Sequence, residues 1–291
     1  MKMIRKDKID ELFRPENTII MTGAKGSGKT NTACVWMEQL VANGYAIYTN
    51  IPFFDFDRIQ EAKDRDKLTK YIDYQAKHQN IHVISGLYEL LKGLVKKGKK
   101  VTILDEAGIH ASSSQPMAKL TVAIKNLAYI IRHFDSSLML ITQTEKSISP
   151  TLRNDLADWK IKTERYQRYM SIGKRALSTD EYGNEFIDFP IEWEINNVPH
   201  STFPYDSVFP TGFIMDIDLK EVLDALSKLP SSLEVEDEGE AIINELFKGT
   251  EPDLKDEIKK AIKENPDWTD QEIADEVGCS QPYVNKVKND K

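Results

Sequence analysis

The sequence predicts an α/β protein with a mostly parallel sheet and antiparallel edge strands, followed by a small all-α unit at the C-terminal end. Two observations lead to this fold class. Up to residue 142, short apolar runs alternate with helix-like segments, which is the pattern of a parallel sheet covered by helices on both faces. From residue 159 onwards, polar and apolar residues alternate instead, which predicts antiparallel strands at one edge of that sheet.

The composition is that of a globular protein. The chain has 291 residues, of which 40% are hydrophobic and 30% charged, and its formal net charge is -8. No apolar run approaches the roughly 18 residues of a membrane-spanning helix, so no membrane span is expected. The first residues lack the apolar centre of a signal peptide, and the two cysteines fit neither a disulfide framework nor a metal-binding spacing. We therefore expect the chain in a reducing cytoplasm.

The predicted elements of the first part alternate in chain order. The apolar runs predict strands, since a strand buried on both faces carries few polar residues. The predicted strands are 18–22, 45–49, 82–84, 101–105 and 137–142. The predicted helices are 6–13, 28–40, 64–78, 86–97 and 117–133. The pair Asn43-Gly44 stops the second of these helices.

The second part divides into edge strands, a linker and a tail. The alternating segments 159–175 and 184–195 predict the edge strands, 195–212 a loop and 218–228 a helix. An acidic stretch follows, and three short helices are predicted after it. The predicted domains are 1–228 (nucleotide-binding domain), 229–252 (acidic linker) and 253–291 (C-terminal helical domain).

Residues 23–30, GAKGSGKT, fit the phosphate-loop pattern G-x-x-x-x-G-K-[ST] between a strand and a helix. Glycines let the backbone curl so that its N–H groups face a phosphate, and the helix that follows adds its dipole. Lys29 can reach the β- and γ-phosphates, and Thr30 can bind Mg²⁺. A chance glycine-rich turn is the alternative. The predicted nucleotide-binding residues are Gly23, Ala24, Lys25, Gly26, Ser27, Gly28, Lys29, Thr30 and Asn31.

Polar side chains end the next two buried strands. Asp105 and Glu106 follow VTIL, where the carboxyl ends of parallel strands form the ligand-binding crevice. Asp105 would hold Mg²⁺, and Glu106 would polarise the attacking water as general base. Gln143 ends LITQ and would orient that water or sense the γ-phosphate. The alternative is that these residues are ordinary polar strand ends.

This order of motifs resembles the additional-strand class of P-loop ATPases. More narrowly it resembles the FtsK/HerA group, which includes viral genome-packaging ATPases, conjugation coupling proteins and zonular-occludens-toxin-like phage assembly ATPases. GAKGSGKT, VTILDEA and YIIRHFDSSLMLITQ carry the resemblance, which covers about residues 17–165. It implies a RecA-like fold, Mg²⁺-dependent ATP hydrolysis and a bacterial, archaeal or virus-infected host cell.

The resemblance also points to further residues. Family members commonly carry an arginine before a strand that ends in Thr-Gln, and here this is Arg132. The phage-assembly branch shows another arginine after the glutamine, here Arg153. It also shows an Asn-Ile-Pro sequence, here residues 50–52. In such motors an arginine from a neighbouring subunit reaches the γ-phosphate. Arg132 is the first candidate and Arg153 the second, and a surface ion pair is the alternative for both. A trans-acting arginine implies an oligomer, expected to be a ring of six. Because no Asn-Lys-x-Asp motif for guanine occurs, ATP is expected over GTP.

Two basic stretches and the tail could contact DNA. Interleaved tyrosines and cations can stack on bases and pair with phosphates. For the stretch 96–100 the alternative is the preference of lysine for the last turn of a helix, and for the stretch 160–175 it is a solvated sheet face. The stretches comprise Lys96, Lys97, Lys99 and Lys100, and Lys160, Lys162, Arg165, Arg168, Lys174 and Arg175 with Tyr166 and Tyr169.

In the tail, Thr269 and Glu272 form a capping box that opens one helix, and Gly278 and Ser280 separate it from the next. This spacing resembles a helix-turn-helix, with an ordinary three-helix packing unit or a protein-docking module as the alternatives. The predicted DNA-binding residues are Gln281, Tyr283, Asn285, Lys286 and Lys288.

These features predict an ATP-hydrolysing DNA motor for genome packaging, DNA transfer or mobile-element maintenance. An ATP-dependent DNA-binding regulator or partition factor is the second hypothesis. The third is a phage assembly or secretion ATPase, against which the tail and the lack of a visible membrane helix count.

Overall fold

The computed structural model divides into two compact units, residues 1–234 and 235–291. Within the first unit it describes residues 5–53, 80–84, 86–105, 126–132, 134–148, 150–165, 168–203 and 205. Within the second unit it describes 241, 243–245, 247–248, 251–266, 268–277, 284–285 and 287–288. The predicted helices 64–78 and 218–228 lie outside these ranges.

A mixed sheet forms the centre of the first unit. Its described strands are β1 (Thr18–Thr22), β2 (Ala46–Thr49), β3 (Ile81–Val83), β4 (Lys100–Leu104), β5 (Ser136–Thr142), β6 (Trp159–Glu164), β7 (Tyr169–Lys174) and β10 (Ile191–Ile195). They lie in the order β10-β7-β6-β1-β5-β4-β2-β3. Six neighbouring strands are mutually parallel, in the spatial order β6, β1, β5, β4, β2 and β3. At one edge, β7 pairs antiparallel with β6, and β10 pairs antiparallel with β7. The predicted fold class, a mostly parallel α/β sheet with antiparallel edge strands, is confirmed.

The region after residue 158 differs in detail from the prediction. The first alternating strand, β6, pairs in parallel with β1 on one side and antiparallel with β7 on the other. A separate hairpin, β8 (Ala176–Thr179) and β9 (Glu185–Asp188), stands outside the main sheet. Alternation of polar and apolar residues reports one buried face, which a parallel strand near a sheet edge shares with an antiparallel one.

Helices of the first unit are α1 (Lys6–Leu12), α2 (Lys29–Ala42) and α3 (Leu87–Leu94), and residues 126–132 are helical as well. Helix α2 is buried along most of its length, and Trp36 meets Phe13 edge to face with ring centroids 5.4 Å apart. The predicted stop is confirmed: Gly44 takes a positive φ of 82°, and Tyr45 N–H donates to Leu40 O at 3.1 Å. These bonds satisfy carbonyl groups at the end of the helix.

The second unit contains α4 (Glu251–Glu264) and α5 (Asp270–Val277), and residues 284–285 and 287–288 are helical. The predicted capping box is confirmed: Thr269 N–H donates to Glu272 Oε2 at 2.7 Å, and Glu272 N–H donates to Thr269 Oγ1 at 3.3 Å. A small apolar core joins the helical segments, formed by Ile258, Ala261, Ile273, Ala274, Val284 and Val287.

Among the described helices of both units, none has the length and apolar character needed to cross a bilayer.

Candidate phosphate-binding site

The glycine-rich loop joins β1 to α2 at the carboxyl edge of the sheet. Gly26 and Gly28 have φ values of +76° and +88°, a conformation that glycine adopts without steric cost. Ser27 N–H donates to Ala24 O at 3.0 Å and closes the turn. The loop therefore has the tight backbone that the phosphate-loop pattern predicts, and the first turn of α2 follows it directly.

Gly23 is confined for a different reason, which is its packing against β6. A Cβ atom at this position would lie 2.3 Å from Thr163 Oγ1 and 2.4 Å from Ser27 Oγ. Such contacts lie far inside van der Waals distance, so a side chain there would displace the loop. The two hydroxyls bond to each other at 2.8 Å, and Thr163 Oγ1 also donates to Thr22 O at 3.3 Å.

Thr163 is thus a part of the site that sequence reasoning missed. It anchors the start of the loop to β6, 136 residues further along the chain than Ser27. Its inward position in an alternating strand is visible in the sequence, but the pairing of β6 with β1 is not. The Ser27 hydroxyl bonds to Thr163, so the predicted nucleotide contact of Ser27 would come from its backbone.

Lys29 and Thr30 begin α2, and their side chains contact the loop and the end of β4, respectively. Lys29 Nζ donates to Gly23 O at 2.9 Å and to Ala24 O at 3.2 Å, so its ammonium group lies against the loop. Thr30 Oγ1 donates to Asp105 Oδ2 at 2.8 Å. The loop and the acidic end of β4, separate in sequence, therefore meet at this hydroxyl.

Thr30 and Asp105 fit Mg²⁺ by their chemistry. A hydroxyl and a carboxylate are hard oxygen ligands, and Mg²⁺ is usually held by one or two protein oxygens together with water and phosphate. Within the described residues, no group of three or more His, Cys, Asp or Glu side chains gathers elsewhere as a metal site. Asp105 is buried, and Glu106, the predicted general base, lies outside the described residues.

Gln143 follows β5 at the same edge of the sheet. Thr142, the last residue of β5, pairs with Thr22, the last residue of β1, so Gln143 and the loop leave the sheet side by side. Its side chain is exposed. This placement suits the predicted role of Gln143 beside the γ-phosphate.

Asn31, predicted to bind nucleotide, uses its side chain to hold another segment. We call residues 198–203 together with Tyr205 the strap. Asn31 Nδ2 donates to Pro199 O at 2.8 Å, and Asn31 Oδ1 accepts from Ser201 N–H at 2.9 Å and from the Tyr205 hydroxyl at 3.2 Å. Burial raises the pKa of Tyr205 to about 12, so its hydroxyl remains protonated at neutral pH. A contact from Asn31 to phosphate would therefore come from its backbone.

The strap has a second attachment on the same helix. Glu38 Oε1 accepts hydrogen bonds from the Ser201 hydroxyl and from both the N–H and the hydroxyl of Thr202. Phe203 also meets Phe53 edge to face at 5.4 Å. The strap thus runs along α2 and joins it to the segment after β2.

The two candidate arginines lie in different places. Arg132 Nη2 contacts Asp158 Oδ2 at 3.3 Å, and Asp158 in turn accepts from Thr18 N–H at the first residue of β1. This is the amino edge of the sheet, opposite the phosphate loop. Arg153 Nη1 donates to Glu145 O at 3.4 Å in the connection between β5 and β6. Arg132 therefore has the ion pair that the alternative explanation predicted.

Most cations of the described basic stretches have partners within the unit. Lys160 pairs with Glu145 at 3.0 Å, Lys162 with Glu164 at 2.9 Å and Lys174 with Glu11 at 3.0 Å. Lys99 pairs with Asp10 at 3.0 Å, and Lys100 is buried. These contacts favour a solvated, ion-paired surface over a nucleic-acid track.

In the second unit, Asn285 is exposed and Lys288 Nζ forms an ion pair with Asp270 at the start of α5. Gln281, Tyr283 and Lys286 lie outside the described residues. Lys288 therefore has an acidic partner within the unit that DNA would have to displace.

Solved structures with similar folds come from several sources. They include the DNA-packaging ATPase B204 from Sulfolobus turreted icosahedral virus (20% identity, 62% of this chain, 100% of that chain, TM-score 0.37). Another is the N-terminal domain of zonular occludens toxin from Neisseria meningitidis (16%, 60% and 94%, TM-score 0.28). A third is the flagellar accessory protein FlaH from Methanocaldococcus jannaschii (15%, 69% and 90%, TM-score 0.34).

Comparison by sequence gives a family. No curated protein matches the chain. A family model, that of zonular occludens toxin (Zot), matches residues 17–182, which is more than half of the chain. The match includes the glycine-rich loop, both acidic positions after β4, and Gln143. The protein belongs to the zonular occludens toxin (Zot) family.

Proposed function

We propose that this protein is a Mg²⁺-dependent ATPase. The observation that carries the proposal is the 2.8 Å hydrogen bond from Thr30 Oγ1 to Asp105 Oδ2, directly behind a loop with two glycines at positive φ. It brings together the two protein oxygens that a nucleotide-bound Mg²⁺ needs and an anion-binding helix start.

Each residue has a role in this proposal. Backbone N–H groups of the loop and Lys29 bind the phosphates. Thr30 and Asp105 hold Mg²⁺, which neutralises charge on the β- and γ-phosphates when bound. Glu106 accepts a proton from the attacking water, and Gln143 orients that water.

We further propose that the ATPase is a DNA motor that works as a ring, six subunits being the expected number. Two features support action on DNA: the order of motifs shared with packaging and transfer ATPases, and the capped helix α5 in the predicted helix-turn-helix of the second unit. Because Lys99, Lys160, Lys162 and Lys174 in the basic stretches of the first unit form ion pairs, we expect the DNA contacts there to be weaker than those of the tail residues 281–288.

A phage assembly or secretion ATPase is the second candidate function. The match to the Zot family over residues 17–182 favours it, since the family resemblance includes phage assembly ATPases. Under this hypothesis the ATPase site is the same, but its turnover does not respond to DNA.

The deciding experiment is steady-state ATP turnover with no DNA, single-stranded DNA and double-stranded DNA, with the mass of the assembly measured in the same buffers. A DNA motor is expected to show DNA-stimulated turnover by a ring. Turnover that is indifferent to both DNA forms supports the assembly ATPase. Strong DNA binding that requires ATP, with negligible turnover, supports a regulator or partition factor. Lys29→Ala protein controls for contaminating ATPases.

A mixing experiment tests the trans-acting arginine. Arg132→Ala and Lys29→Ala proteins, each inactive alone, are expected to regain turnover in mixed oligomers if Arg132 serves the neighbouring site, because a Lys29→Ala subunit then donates an intact arginine. The same mixture with Arg153→Ala tests the second candidate. If oligomers that are shown by mass to be mixed regain no turnover, the arginine tested is not the trans-acting residue. For Arg132, its role would then be the ion pair with Asp158.

A further inference from the structure

Asn50 makes an unusual contact behind the site, between β2 and the end of β4. Its side chain is buried. Asn50 Nδ2 donates to Asp105 O at 2.9 Å, and Asp105 N–H donates to Asn50 Oδ1 at 2.8 Å. One amide side chain therefore satisfies the peptide N–H and the peptide C=O of the same residue, and that residue carries the predicted Mg²⁺-binding carboxylate.

The sheet explains why a side chain is needed here. β2 pairs with β4 in parallel as far as Thr49 and Ile103, and β2 ends there. Thr49 instead accepts from Ile84 N–H through its carbonyl and from Ile51 N–H through its hydroxyl. Beyond the last strand pair, the Asn50 side-chain amide bonds to both peptide groups of Asp105.

The residue type matters because an amide offers both a donor and an acceptor. Aspartate has nearly the same shape as asparagine, but it cannot donate to Asp105 O when ionised. It would also place a second carboxylate in a buried position beside Asp105. Serine is too short to span both peptide groups.

We propose that Asn50 is a positioning residue for the magnesium-dependent step. By fixing both peptide groups of Asp105, it holds the Asp105 carboxylate against Thr30 Oγ1, and it fixes the peptide bond that leads to Glu106. The inference rests on the proposed ATPase function and assigns to Asn50 no contact with nucleotide.

The proposal predicts a specific pattern of defects in Asn50→Asp and Asn50→Ser. Partners that orient metal ligands typically contribute about 10- to 100-fold to metal affinity or activity. We therefore expect the Mg²⁺ concentration for half-maximal turnover to rise about tenfold or more, and kcat to fall by a similar factor. Nucleotide binding in EDTA, which depends on the loop and Lys29, is expected to stay near that of the unsubstituted protein.

Asn17→Asp is the matched control. Asn17 Nδ2 donates to Glu11 O and Leu12 O, both at 3.0 Å, and Asn17 precedes β1 at the amino edge of the sheet. The change removes a comparable amide donor without touching Asp105. It is expected to lower the thermal midpoint and leave the Mg²⁺ dependence unchanged.

The measurements are Mg²⁺ titrations of turnover, calorimetric binding of nucleotide with and without Mg²⁺, and thermal unfolding, all below the lowest midpoint. If the two Asn50 variants keep both the Mg²⁺ dependence and kcat of the unsubstituted protein, the proposal is wrong. Equal losses of nucleotide affinity with and without Mg²⁺ would also overturn it, since they indicate a general structural role. If the unsubstituted protein itself binds no nucleotide, the proposed ATPase function fails instead.

Discussion

Lys29→Ala is expected to lower ATP turnover by about 10²- to 10³-fold, because it removes the ammonium group that lies against the phosphate loop. The ammonium group of Lys29 lies against Gly23 O and Ala24 O, so its loss also leaves these carbonyl groups without that donor. Both effects weaken nucleotide binding as well as the chemical step. Turnover and calorimetric binding of a non-hydrolysable ATP analogue measure them separately.

Lys25→Ala is the matched control for this prediction. Lys25 belongs to the same loop and has the same charge, but its side chain is exposed and it occupies a variable position of the pattern. Its predicted contact with phosphate is through the backbone N–H, which Lys25→Ala keeps. We expect a change of less than about threefold, as for a surface charge at the rim of a site. If purified Lys29→Ala protein hydrolysed ATP at an unchanged rate, residues 23–30 would not be the phosphate-binding loop, and the proposed ATPase function would be wrong.

Glu106→Gln is expected to separate binding from hydrolysis. A general base contributes about 10²- to 10⁴-fold to rate, so turnover is expected to fall by that factor while Mg²⁺-dependent binding of ATP persists. Asp105→Asn is the informative comparison, because Asp105 accepts the hydrogen bond from Thr30 and is proposed to bind Mg²⁺. That change is expected to weaken the Mg²⁺-dependent part of binding itself.

Single-turnover measurements with pre-bound ATP distinguish the two carboxylates. For Glu106→Gln, trapped and unhydrolysed ATP should accumulate on the protein. Normal single-turnover hydrolysis by this variant would assign the base to another residue. If instead both variants lost Mg²⁺-dependent binding equally, the division of labour between Asp105 and Glu106 would be wrong.

Sequence could predict the parts of the site whose residues are close together along the chain, within one local window. The loop from Gly23 to Thr30, the strand before it and the helix after it form one such window, and the structure has all three. The apolar run before Asp105 and the one before Gln143 each identify a buried strand in the same way. Parallel pairing then brings their carboxyl ends to one edge, as expected for such sheets.

Contacts that depend on distant pairing could not be predicted. Thr163 reaches Ser27 because β6 lies beside β1. Asn50 reaches Asp105, 55 residues away in sequence, because both residues lie just beyond the paired part of β2 and β4. Neither contact leaves a local pattern. For Asn31, its place beside the motif predicted a nucleotide contact, but the sequence did not reveal that its side chain bonds to the strap, 168 residues or more further along the chain.

The packing of Gly23 on Thr163 bears on attempts to transplant this nucleotide-binding segment into another scaffold. The clearance at Gly23 is set by a neighbouring strand, not by the loop alone, since any Cβ there would overlap the Thr163 hydroxyl and carbonyl. A chimaera that carries residues 18–42 without β6 would lose the hydrogen bond between Thr163 and Ser27 while keeping the whole motif. The smallest graft that preserves the geometry is therefore discontinuous, and it must include residues 159–164.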